Sequence, residues 1–134
     1  MERKLLLPGK RLPAFTLTEL LVVLAIIGIL LLIALPNLMP LISKTRSTEA
    51  KQNLTYIHSL QKSWFMEHSE YSSNLKEVGF ELDNPEEAQY TYEVSGSKSS
   101  FKATATAVTD FDNDGQINVW EIDQKKNLKE VTPD

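Results

Sequence analysis

From Leu20 to Ser43 the chain runs for 24 residues without an ionisable side chain. At about 1.5 Å per residue, a helix of that length crosses a ~30 Å hydrocarbon layer. Such a stretch has no place in the core of a small soluble domain. It also departs from a secretory signal, whose apolar core is shorter and ends at a small-residue cleavage site. Here Pro36, Asn37 and Pro40 follow instead, and a helical pattern continues beyond them. The segment is therefore expected to be retained as a single membrane span.

Charge gives the span its direction. Residues 1–14 carry Arg3, Lys4, Lys10 and Arg11 against Glu2, a net of +3, whereas the rest of the chain carries ten basic and seventeen acidic residues, a net of −7. A basic tip, an apolar run and an acidic body predict an anchored protein with its N-terminus in the cytoplasm. The acidic body also argues against a nucleic-acid partner, because Lys125, Lys126 and Lys129 form its only basic cluster. With no cysteine in the chain, disulfide staples and thiolate metal sites are excluded.

Periodicity predicts an α+β fold, a long N-terminal helix packed on a small antiparallel sheet of three or four strands. The apolar helix is expected to begin at Phe15, with Thr16 or Thr18 capping its first turn. Past Lys44, residues Ala50, Leu54, Ile57, Gln61, Trp64 and Phe65 recur on one helical stripe and read as core. Polar residues then punctuate a loop over 69–88. Tyr90, Tyr92 and Val94 alternate as one strand face, and Phe101, Ala103, Ala105 and Ala107 as the facing one. "INVWEI" and "LKEV" read as two further strands joined by the turn "DQKKN". The predicted organisation is a leader at 1–14, a membrane and assembly helix at 15–43, and a head at 44–134. Within the head, an amphipathic helix runs to about 68 and the sheet occupies 89–134.

Two features carry chemistry. The first is Glu19, an acid at the head of the apolar run, costly within a bilayer unless something pairs with it. The second is "DFDNDGQINVWE" at 110–121. Asp110, Asp112 and Asp114 fall at positions 1, 3 and 5 of a calcium loop, Gly115 at 6, and Glu121 at 12. Gln116 would add its backbone carbonyl, Asn118 would coordinate directly or through water, and Ile117 would pin the loop. Calcium is thus the expected cofactor, on a β scaffold and without the helical frame of an EF-hand. His58 and His68 read as surface or packing residues, and Trp64 and Trp120 as core. No catalytic triad, phosphate loop or nucleophilic cysteine is present in the sequence, so an enzyme is not expected.

The N-terminal third resembles the type IV pilin family. Phe15, Thr16, Leu17, Thr18 and Glu19, followed by "LLVVLAIIGILLLIALP" and by "RSTEA" at 46–50, match its leader boundary and assembly helix. Ala14 stands before the boundary, where the family most often has glycine. The resemblance implies that a prepilin peptidase cuts between Ala14 and Phe15 and methylates the new amine. It further implies that Glu19 pairs with that amine on a neighbouring copy, and that the segment around Gly28 and Pro36 can extend within a helical homo-oligomeric filament. Inner-membrane assembly machinery and lipid are the implied partners. The implied location is first the inner membrane and then the extracellular pilus. The alternative is a periplasmic pseudopilin of a type II secretion system, although no Pro-Trp-Gly segment of that family occurs between 69 and 100.

Overall fold

The computed structural model describes Gly9 and residues 13–134; most of the expected leader lies outside the described residues. One helix, α1, spans Leu17–His68, and four strands follow: β1 (Tyr90–Gly96), β2 (Phe101–Ala107), β3 (Val119–Asp123) and β4 (Leu128–Thr132). The chain divides into a first unit ending at Pro36 and a second running from Asn37 to Asp134.

The first unit holds the apolar part of α1. Its stretch is long and apolar enough to cross a membrane, with a mean hydropathy of 2.9, and none of it is buried in the chain's own fold. Leu20, Leu24, Ile27 and Leu31 all stay exposed. α1 is helical through both Gly28 and Pro36, although proline removes a backbone donor and crowds the preceding turn. In this helix the expected weak points are therefore still wound.

The second unit is the α+β head. Its sheet is a four-stranded antiparallel meander in the order β1-β2-β3-β4. Alternation works as the sequence predicts: Phe101, Ala103, Ala105 and Ala107 are buried while Lys102 points out. Tyr92 pairs with Ala105 and Val94 with Ala103, which sets one inward face across β1 and β2. Ala50, Leu54 and Ile57 of α1 join these alanines in one core. Leu54 and Ile57 fill the space over these small side chains, as dense packing requires. At the β3–β4 edge the register shifts between Val119 and Trp120, a bulge that skips Val131 and discourages further strand pairing.

Two buried polar residues of α1 fix the loops. Gln61 donates to the Ser72 carbonyl at 2.7 Å and accepts from the Ser72 amide at 3.0 Å. This pair clamps the chain as it leaves the helix, and Gly96 passes directly beneath it. A Cβ on Gly96 would collide with the backbone carbonyls of Ser72 and Tyr71. Because backbone cannot yield as a flexible side chain does, Gly96→Ala is expected to cost about 1–3 kcal/mol, read as a lowered chemical-denaturation midpoint. An unchanged midpoint would contradict the close approach.

His58 is the other residue. It is buried against Phe101, with ring centroids 5.8 Å apart, and its Nε2 lies 3.4 Å from the Gln124 carbonyl. Burial lowers its pKa, since desolvation penalises the imidazolium. The folded state thus resists protonation more than the unfolded chain does. Its stabilising contribution is complete above about pH 6.5, the ordinary histidine value, and is lost as pH falls through the lowered folded value. Melting temperature should fall more steeply between about pH 7 and about pH 5 in the wild type than in His58→Gln; parallel curves would contradict this.

Candidate functional site

At the start of α1, Glu19 already has a partner within its own chain. Its Oε2 accepts hydrogen bonds from the Thr16 amide at 2.7 Å and the Thr16 hydroxyl at 2.9 Å, while Thr16 Oγ1 accepts from the Glu19 amide at 3.2 Å. This is a reciprocal capping box, with Thr16 as N-cap and Glu19 three residues on. Of the two capping threonines expected from sequence, the chain uses Thr16. The Thr-x-x-Glu spacing is itself the sequence signature of the box. Ala14, Phe15 and Glu19 are exposed, so the expected cleavage boundary and the acid lie open within one turn of each other.

The second candidate is the loop from Asp110 to Asn118, and here the expected ligand set comes apart. Glu121 lies in β3 opposite Thr104 and Lys129 on the outer face of the sheet. It bridges Lys102 at 3.3 Å and Lys129 at 3.4 Å. Strand alternation sends it there; the exiting helix that turns a twelfth-position acid back onto the ion is missing. Asn118 is buried, and both ends of its amide are occupied. Its Oδ1 accepts from the Tyr90 hydroxyl at 2.7 Å and from Trp120 Nε1 at 2.8 Å, while its Nδ2 donates to Glu130 at 2.7 Å and to the Thr132 carbonyl at 3.0 Å. It is a structural hub joining β1, β3 and β4. Burial also raises the Tyr90 hydroxyl well above the usual tyrosine range, so it remains the donor in this hub.

What does converge is a different triad. Carboxylate oxygens of Asp110, Asp112 and Asp134 lie within 4.8 Å of one another. Asp134 came from no sequence motif; it arrives from the end of β4, where it accepts from the Phe111 amide at 3.1 Å and from the Ser43 hydroxyl at 2.7 Å. Three hard oxygen donors suit a calcium or magnesium ion in chemistry. The loop also closes itself without one. Asp110 accepts from the amides of Asn113 and Gly115, both at 2.7 Å, and Asp114 from the Gln116 amide at 2.7 Å. Gly115, at φ +90°, takes the backbone conformation this turn needs.

The charges respond in opposite senses. The Gly115 amide holds Asp110 below the usual carboxylate range. Asp112 is pushed up by desolvation and by the carboxylates of Asp114, Asp134 and Asp110. Ile117 does not pin the loop, being partly exposed; Phe111 does. Its ring packs edge-on to Tyr90 at 5.7 Å and lies 4.6 Å beneath the Arg46 guanidinium.

Comparison with known proteins identifies the family. A prokaryotic N-terminal methylation motif matches residues 13–35, the stretch that holds Ala14, Phe15 and Glu19. The family described as "Type IV minor pilin ComP, DNA uptake sequence receptor" matches residues 36–116. The chain belongs to the type IV pilin family. This pilin is also similar to the type IV major pilin protein PilA of Myxococcus xanthus, 44% identical over 83 residues. Those residues make up 62% of this chain and 37% of the relative, so the pilin spans well under half of that protein's length.

Proposed function

We propose that this pilin is the structural subunit of a type IV pilus, processed between Ala14 and Phe15 and assembled through the apolar half of α1. The observation that carries the proposal is the Glu19 capping box at the exposed start of an unburied apolar helix. Before cleavage, Phe15 contributes a neutral amide and Glu19 is held by Thr16. Cleavage turns Phe15 into a cationic amine beside the membrane surface. Pairing of that amine with the Glu19 of a neighbouring copy neutralises both charges and selects one axial stagger between helices. The apolar surface of α1 passes from lipid to the helices of other subunits.

Against the pseudopilin alternative stands the absence from 69–100 of that family's Pro-Trp-Gly segment. Against DNA receptor function, named in the matching family's description, stands the net charge of −7 over residues 15–134. A receptor for phosphates needs the opposite sign. Localisation tests the proposal: shearing should release this pilin from the cell surface in polymer form. A chain confined to the periplasm would instead favour the secretion pseudopilus.

Calcium belongs to the same proposal as a clip on the head, held by Asp110 and Asp112 with Asp134 in place of Glu121. Saturating calcium at about 100 times its dissociation constant would add about 2.7 kcal/mol. The melting temperature of the full chain in detergent should therefore rise in calcium relative to chelator. An identical midpoint in both rules the ion out.

A further inference from the structure

The head is charged unevenly, and its sheet order keeps the two signs apart. Beside the edge strand β1, Glu81, Asp83, Glu86 and Glu87 are exposed on the loop that precedes it, and Glu49 faces them from α1. Of these acids, Glu49, Glu81, Asp83 and Glu87 line a groove of about 500 Å3 together with Asn53, Tyr56, Phe80 and Leu82. Among the described residues, both ion pairs belong to Glu121, so none of these acids has a cation of its own. Lys76 borders the groove beside Glu81, and a larger group of lysines gathers elsewhere. The β1–β2 and β3–β4 turns lie at the same end of the meander, with Ser97 and Gln124 lining one cleft. Lys98, Lys125 and Lys126 stand exposed on those turns, Lys102 and Lys129 beside them, and Lys62 on α1 at the same level. The acidic groove flanks one edge of the sheet, and the lysine turn sits toward the opposite edge and the far end.

From this we infer that the acidic groove receives the lysine-bearing β3–β4 turn of a second copy of this chain. The inference rests on the filament reading above, since a contact between two different patches repeats from copy to copy instead of closing a dimer. Charge complementarity steers the encounter and fixes its register. The groove also suits lysine in detail. Lys125 and Lys126 can lay their aliphatic stems on Tyr56, Phe80 and Leu82 while their ammonium groups reach Asp83 and Glu87. Lys126 sits at φ +65°, so the turn projects its side chain from a left-handed position at the hairpin tip.

The test is a charge swap in the full chain. Asp83→Lys with Glu87→Lys, or Lys125→Glu with Lys126→Glu, should each lower the yield of sheared filaments at least tenfold while membrane levels stay normal. Combining all four changes should restore the yield to within about twofold of wild type. Yields unaffected by either pair, or not restored by the combination, overturn the inference. So does a lysine pair whose reversal leaves filaments intact and instead abolishes retention of duplex DNA, which would assign that end to nucleic acid.

Because the chain has no cysteine, Glu87→Cys with Lys126→Cys adds a direct readout. Oxidised filaments should run as a disulfide ladder that neither single variant gives; filaments without a ladder overturn the contact. If wild-type chains make no filaments at all, the pilus reading has failed and not this contact. The same oxidation then tests it on the full chain concentrated in detergent: a dimer requiring both cysteines supports it, and monomers overturn it.

Discussion

Glu19→Ala is expected to abolish surface filaments while leaving the chain in the membrane, as read by electron microscopy of sheared material and immunoblotting of membranes. The span from Leu20 onward does not need the acid to insert; removing a carboxylate from the apolar boundary makes insertion easier. Alanine, however, deletes two things at once, because Glu19 also caps its own helix through Thr16. Losing a cap costs about 1 kcal/mol of helix stability. Glu19→Gln separates the two roles: glutamine can occupy the same position in a capping box but carries no charge. If pairing with the Phe15 amine drives assembly, the glutamine variant loses filaments at least tenfold as well. Normal filaments from Glu19→Gln would assign the residue to capping alone.

The second large effect is expected at Asn118. Truncation to alanine strands the buried Tyr90 hydroxyl and leaves the part-buried Trp120 Nε1 and Thr132 carbonyl without this partner. Unsatisfied buried polar groups cost about 1–3 kcal/mol each, so a total near 3 kcal/mol is a low figure. For a head of this size, that lowers the melting temperature by roughly 12–24 °C. Asn118→Asp discriminates a hub from an ion ligand. Aspartate would be tolerated or favoured beside calcium. In the hub it loses both donated hydrogen bonds and sets a charge against Glu130, and should destabilise the head whether or not calcium is present. A wild-type midpoint in either variant would contradict the hub.

These two residues mark where sequence reasoning succeeds and where it runs out. Periodicity located the helix, the four strands and the inward alanine face of β2, because burial on one side repeats every second or every 3.6 residues. The Thr16 cap was likewise legible, because a capping pattern spans a single helix turn. The Asp-rich loop failed at its far end for a physical reason. The twelve-position count presumes a helix after the loop, and a strand sends Glu121 to the opposite face, between Lys102 and Lys129. Asn118 looked like a ligand because it sits at position 9; its four partners come from β1, β3 and β4, which no local pattern records. Asp134 entered the acidic triad from 22 residues beyond Asp112, brought there only by the pairing of β3 with β4. The charge division of the head was hidden in the same way: the net of −7 is a sum, and only the sheet order separates its acidic groove from its lysine turn.

The central claim is that cleavage at Ala14 frees the Phe15 amine for assembly. Intact-mass and N-terminal fragment spectra of subunits from sheared filaments test it most directly. The bulk polypeptide is expected to begin at N-methylated Phe15 and to retain Glu19 and the whole apolar run. Filaments built from chains that still carry residues 1–14, or from chains beginning at another residue, would contradict it.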